Sequence, residues 1–354
     1  MNTHYEARLQ KDLDWIEDLL GIVGAGTEQA IGDAVKAVTT LDRDLAAKTV
    51  LGDYVINRQT RELDWLCHAF VARHLPSAGH LRFVSSVMRL ATALERIGDY
   101  ACTISRTASQ LSAPPTPQAQ RDIEVIGEHA RKELHDSMRA FLSRDVARAQ
   151  VLIQEAASFT HNFDRVFEHL AREGDEGLRP TIELFALMAT FNRLDRVIHQ
   201  AKNICEETVF VCTGRMKSER RFEILFVDRD GRGAGHLAEN FARKAFPRSG
   251  NYRCASLEPA QEIDPSFVEF AERNGLDLSG AWPTPFSALA SNLSSFQIVV
   301  CLEKGLRDIL GKIPFHTTAI EWDLDPSAKP EDAYKTLTPR IRELMELLRG
   351  EHAC

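Results

Sequence analysis

A chain of 354 residues with 44% hydrophobic and 27% charged side chains has the balance of an ordinary soluble globular protein and room for two or three domains. Its net charge of -8, without a basic stripe or Lys/Arg block, excludes direct nucleic-acid binding, because nothing offsets phosphate charge. The acidic start (Glu6, Asp12, Asp14, Glu17, Asp18) is not a secretory leader, and apolar runs such as 296–302 are too short to span a membrane, so the chain is expected in the cytoplasm. Seven scattered cysteines form no Cys-x-x-Cys pair, which fits reduced, mostly buried thiols rather than a disulfide framework or a zinc site.

From His4 to about Val211 apolar positions recur at three and four residues, as in Leu9, Leu13, Ile16, Leu19, Leu20 and Val23, the period of amphipathic helices. Gly24 to Gly26 are expected to break the first helix, with Thr27 opening another, and Pro76-Ser77-Ala78-Gly79 to separate a third from a fourth. Pro114-Pro115-Thr116-Pro117 cannot continue a helix and marks a join between two halves. Asp44-Leu45-Ala46 is echoed by Asp145-Val146-Ala147, so the halves, 1–112 and 118–214, read as two similar three-helix bundles in series.

Within the first half, Leu94-Glu95-Arg96-Ile97-Gly98-Asp99 places Glu95 and Asp99 one turn apart on a single helical face. Asp195-Arg196-Val197-Ile198-His199 repeats the arrangement with an acid at i and a possible metal ligand at i+4. Carboxylates at this spacing can share or bridge hard cations, whereas the simplest alternative is a solvated acidic face neutralised by Arg89 and Arg96. Gly98, costly in mid-helix, implies a close approach of another helix or an ion.

The pattern changes after Gly214. A charged linker over 215–221 leads to a strand at 222–227, the loop Asp228-Arg229-Asp230-Gly231-Arg232-Gly233-Ala234-Gly235, and a helix from His236 to about Phe246. Strands at 253–256, 298–302 and 318–322 alternate with helices at 265–274 and 333–348, which predicts a separate α/β domain with a central parallel sheet over 221–354.

The helical two-thirds resembles the PhoU family of phosphate-uptake regulators. The residues that carry the likeness are His4-Tyr5, Asp44 to Asp53 and Asn57, Pro76 to Arg82, the 94–99 signature, Asn203-Ile204-Cys205-Glu206 and Gly214; the second signature departs from the family at Asp195, Ile198 and His199. The resemblance implies tandem three-helix bundles and a divalent or trivalent metal (iron, zinc, nickel or magnesium) held by Glu95, Asp99 and Asp53 and, in the degraded copy, by Asp195 and His199. It also implies two partners, the ATPase of a phosphate ABC transporter and a sensor histidine kinase, with the membrane reached only through them. A homodimer stays open.

The C-terminal part resembles the low-molecular-weight tyrosine phosphatase and arsenate reductase family, through Leu237-Ala238-Glu239-Asn240, Ala255-Ser256-Leu257-Glu258-Pro259, 275–280, 296–300 and Trp322-Asp323-Leu324-Asp325-Pro326. The family's Cys-x5-Arg-Ser loop is here Asp228, Ala234 and Gly235, without thiolate nucleophile or guanidinium clamp. Asp325 then stands as a vestigial general acid. Arg229 and Arg232, with flexible Gly231, Gly233 and Gly235, leave weak anion binding open. Together the two resemblances imply a regulator of phosphate or arsenate homeostasis with an inactive phosphatase-like domain used for oxyanion sensing or docking. The alternative takes the Asp-x-Asp-Gly run as the opening of a haloacid-dehalogenase-type, magnesium-dependent phosphatase with Asp228 as nucleophile.

Overall fold

The helical periodicity becomes, in a computed structural model, a succession of long helices. They are α1 (Asn2–Thr40), α2 (Arg43–His74), α3 (Ala78–Gln110), α4 (Pro117–Leu142), α5 (Val146–Ser158), α6 (Asn162–Asp175) and α7 (Thr181–Thr213). The structure describes residues 2–158, 162–215, 221–290, 292–314 and 317–350; most of the linker, 216–220, and Cys354 lie outside them. Contacts divide the chain into two units, Met1–Lys217 and Ser218–Cys354.

Helix α1 runs unbroken for 39 residues, about 58 Å, so the expected break at Gly24 to Gly26 is absent. Each glycine costs a helix up to about 1 kcal/mol relative to Ala. The buried stripe of Leu20, Val23 and Ile31 continues straight through them, and each such side chain contributes about 1.5–3 kcal/mol. Gly24 also has a packing reason, since a Cβ there would lie 2.7 Å from Met138 Cε on α4. Residues 76–79 therefore separate the second helix from the third.

The two helical halves share one core. Leu20, Leu94, Phe141, Phe191 and Leu194 belong to a single buried cluster, with α3 packed on α7 and α1 on α4. Their join is fastened by a buried polar knot. Arg179 donates to the carbonyls of Ala113 and Pro114 and, at 3.0 Å, to Glu183 Oε2. Glu173 accepts from Thr116 Oγ1 at 2.6 Å, and Glu183 from the Ser112 amide at 3.2 Å. Both carboxylates are at most 3% exposed.

The second unit is a four-stranded parallel sheet of β1 (Phe222–Asp228), β2 (Gly250–Ser256), β3 (Ile298–Cys301) and β4 (Thr318–Glu321) in the order β2-β1-β3-β4. Strand alternation sends Ile224, Phe226, Ile298 and Val300 into a core with α8 (Ala234–Ala245), α9 (Pro265–Arg273) and α12 (Pro330–Arg349). Leu225, Val227, Val299 and Cys301 enter the opposite core with the short helices α10 (Phe286–Ala290) and α11 (Leu306–Ile309), which are too short to show a helical period in the sequence. No helix among the described residues is long and apolar enough to cross a membrane.

Arg179 Nε also lies 3.5 Å from Glu173 Oε2, so replacing it with Ala takes the guanidinium from two buried carboxylates, leaving Glu173 only His169, at 3.0 Å, as an ion-pair partner, and is expected to destabilise the helical unit by about 3–5 kcal/mol. Urea unfolding of the full chain, followed by helical circular dichroism, measures the loss.

Candidate functional site

Helices α2 and α3 meet where Gly98 faces Asp53. A Cβ on Gly98 would lie 2.7 Å from Asp53 Oδ1 and 3.4 Å from Ile56 Cγ2, so the mid-helix glycine admits a neighbouring carboxylate. Asn57 donates from Nδ2 to Asp53 Oδ2 at 2.7 Å. That leaves Asp53 Oδ1 and Asn57 Oδ1 buried without a hydrogen-bond donor. Burial, with the negative charge of Asp99 beside it, holds the Asp53 carboxyl above its ordinary range. Two orphaned acceptor oxygens next to a second carboxylate are the donor chemistry a hard cation takes.

The expected ligands are thus only partly gathered. The charge of Asp99 acts on Asp53 across α2 and α3, and Asp99 and Glu95 are both exposed on α3. On α7, His199 and Asp195 engage each other: His199 Nδ1 lies 3.0 Å from the Asp195 carbonyl and 3.3 Å from its carboxylate, which raises the His199 pKa. Among the described residues no three His, Cys, Asp or Glu side chains come together in a group able to hold a metal ion. Asn57 extends the first donor set. Its four-residue spacing from Asp53 was available in the sequence, but its orientation was not.

In the second unit the loop after β1 turns inward on the chain's own carboxylates. Asp228, 1% exposed, accepts from the Gly231 amide at 3.1 Å, the Gly235 amide at 2.9 Å and Ser256 Oγ at 2.5 Å. The Arg229 amide donates to Glu303 Oε1 at 3.0 Å and the Arg232 amide to Asp230 Oδ1 at 3.1 Å. Loop amides are the donors that would cradle an oxyanion at a helix N-terminus; these four are committed to Asp228, Asp230 and Glu303. Burial, opposed by its hydrogen bonds, pushes the Asp228 carboxyl up.

The loop arginines are paired as well. Arg232 Nε is 3.1 Å from Asp230, and Arg229 Nε is 3.5 Å from Glu303 Oε2. The glycines serve close packing rather than flexibility: Gly233, at φ 152°, has Phe267 where a Cβ would stand, and Gly235 abuts the Asp228 carboxylate. Ala234 and Asp325 line a cavity of about 170 Å³ at the carboxyl ends of the strands. Asp325 Oδ1 accepts from both the amide and hydroxyl of Ser327, which hold its carboxyl below the ordinary range. Ser256 and Glu303 complete the loop's internal network; Ser256 lies in the 255–259 run that carries the family likeness but without a site role there, and Glu303 lies in no motif.

Residues 21–108 match the PhoU domain family model, and PhoU homologues cover the N-terminal part of the chain. The phosphate-specific transport system accessory protein PhoU of Escherichia coli is 26% identical over 215 residues, covering 61% of this chain and 89% of that one. The crystal structure of PhoU from Pseudomonas aeruginosa covers 58% of this chain and 99% of its own, at 26% identity and a TM-score of 0.56. For the C-terminal part, structural neighbours include the tyrosine phosphatase amsI of Erwinia amylovora (16% identity, TM-score 0.33, 38% of this chain and 98% of that one).

The state of Asp53 has a pH signature. Because its pKa is raised in the folded chain, the native state holds this proton more tightly than the unfolded one, so its charge penalises folding above the folded pKa and the penalty is relieved as pH falls through it. In chelator-treated protein, Asp53→Asn is expected to raise the unfolding midpoint near pH 7.5, with the gain shrinking toward pH 4. Denaturant titrations at the two pH values measure the difference.

Proposed function

We propose that this protein is an accessory regulator of phosphate uptake and signalling that acts by binding, through its helical unit, and not by turnover. The observation that carries this reading is the PhoU-like helical unit, matched in sequence and in fold over most of the length of its relatives. Its partners on this reading are the ATPase of a phosphate transporter and a sensor histidine kinase, reached through helical faces. In the native host, loss of the protein is expected to raise phosphate uptake at high external phosphate, and re-expression to restore it. Unchanged uptake overturns the reading.

A regulatory metal belongs to the same proposal. Asp53, Asn57 and Asp99 supply oxygen donors, a set suited to magnesium or ferric iron, while the imidazole of His199 would favour zinc, nickel or ferrous iron at the second copy. The orphaned oxygens of Asp53 and Asn57 support the first site over the second, where Asp195 and His199 already satisfy each other. Elemental analysis of untagged protein is expected to find metal that Asp53→Ala removes and His199→Ala retains. Equal metal content in wild type and Asp53→Ala contradicts it.

The C-terminal unit is, on this reading, a phosphatase-like frame without turnover. An Asp228 nucleophile would need an exposed carboxylate oxygen in line with phosphorus. Asp228 is buried, with Oδ1 taken by Ser256 and Gly231 and Oδ2 by Gly235. This speaks for docking or sensing and against the magnesium-dependent alternative.

A further inference from the structure

Helix α2 carries two seams of the same period. Ile56, Thr60, Leu63, Cys67 and Phe70, spaced alternately four and three residues apart, are buried, and Asp53 extends that seam toward Gly98 on α3. On the opposite side of the helix Leu51, Val55, Arg58, Glu62, Trp65 and Ala69 repeat the spacing, and none of the six is buried. Leu51, Val55 and Trp65 are 65%, 44% and 62% exposed, and Tyr54 beside them is 71% exposed. Scattered apolar residues on a surface are ordinary. A stripe repeating every three and four residues is the seam by which one helix packs on another.

The charges at the centre of the stripe say which helix fits. Arg58 and Glu62 are exposed one turn apart and have neither hydrogen bond nor ion pair among the described residues. Arg ahead of Glu is the weaker order for pairing within one helix, so both charges are free for a neighbour. A second α2 running antiparallel about position 60, midway between them, sets Arg58 against Glu62 of the partner subunit twice over. The same register lays Val55 on Trp65 and Leu51 on Ala69, a smaller side chain against a larger one in each layer. A parallel partner would instead set Arg58 on Arg58 and Glu62 on Glu62, like charge against like.

We propose that this face of α2 is a homodimer interface, an antiparallel pair of α2 helices about a twofold axis at position 60. The contact is isologous, so it closes at two copies and leaves no free seam to propagate. From Leu51 to Ala69 it runs about 27 Å at the helical rise of ~1.5 Å per residue. One helix pair of that length is a small interface, and the dimer forms reversibly at micromolar concentration. Pairing leaves Asp53 and Gly98 on the far side of α2 untouched. The proposal does not depend on the regulatory reading.

Sedimentation of the full-length protein across the micromolar range tests it, with Arg58→Glu, Glu62→Arg and the double exchange of both charges. Wild type is expected to pass from monomer to dimer. Each single reversal places like charges opposite one another and is expected to weaken the dimer roughly tenfold or more; the double exchange is expected to restore it. Thermal unfolding of all three variants is expected to match wild type at concentrations where each is monomeric, since both side chains stand in solvent. A wild type that stays monomeric throughout, or a dimer indifferent to the single reversals, overturns the proposal. Single reversals that weaken the dimer without rescue by the double exchange overturn the antiparallel register.

Discussion

Backbone amides at a strand-to-helix turn need acceptors, and in the C-terminal unit the acceptors are carboxylates of the same chain. Asp228 ties the end of β1 to the loop, to the first turn of α8 and to Ser256 on β2. Glu303, just beyond β3, fixes the loop from the other side. A carboxylate in this position does two things at once. It satisfies donors that would otherwise be buried unpaired, and it places negative charge where an oxyanion would have to enter. The same contacts that stabilise the loop also occupy its amide donors.

The helical unit is organised by a comparable economy of space. Gly98 lets α2 approach α3 closely enough to bring Asp53 beside Asp99, at the cost of leaving two acceptor oxygens without donors. On α7 the equivalent face has closed on itself, with His199 turned to Asp195. One half thus keeps an unsatisfied oxygen site and the other does not, although a common core runs through both. At this face the copies differ in hydrogen-bond satisfaction.

Much of the fold was legible because periodicity is a local signal. The 3.6-residue stripe placed the helices, and the shift to short β-branched runs after Gly214 placed the parallel sheet. The glycines at 24–26 misled for a physical reason: helix propensity is weak beside the burial of Leu20, Val23 and Ile31, and Met138 packs into the space a Cβ would fill. The site was half legible. Asp53, Asp99 and Asp228 could be named from motifs, and Gly98 announced a close approach. The roles of Asn57, Ser256 and Glu303 depend on which strand or helix ends lie side by side, and Ser256 and Glu303 lie 28 and 75 residues from Asp228 in sequence. The loop glycines suggest flexibility in sequence, yet their neighbours show them holding Phe267 and Asp228 at close range.

The central claim, that the chain's own carboxylates fill the loop, is tested most directly on the amides that make it. In nitrogen-15 spectra of the labelled full-length protein, the Gly231 and Gly235 amides are predicted to be protected from hydrogen exchange and to keep their positions in excess inorganic phosphate. Rapid exchange at both positions, together with saturable shifts on adding phosphate, would contradict the account.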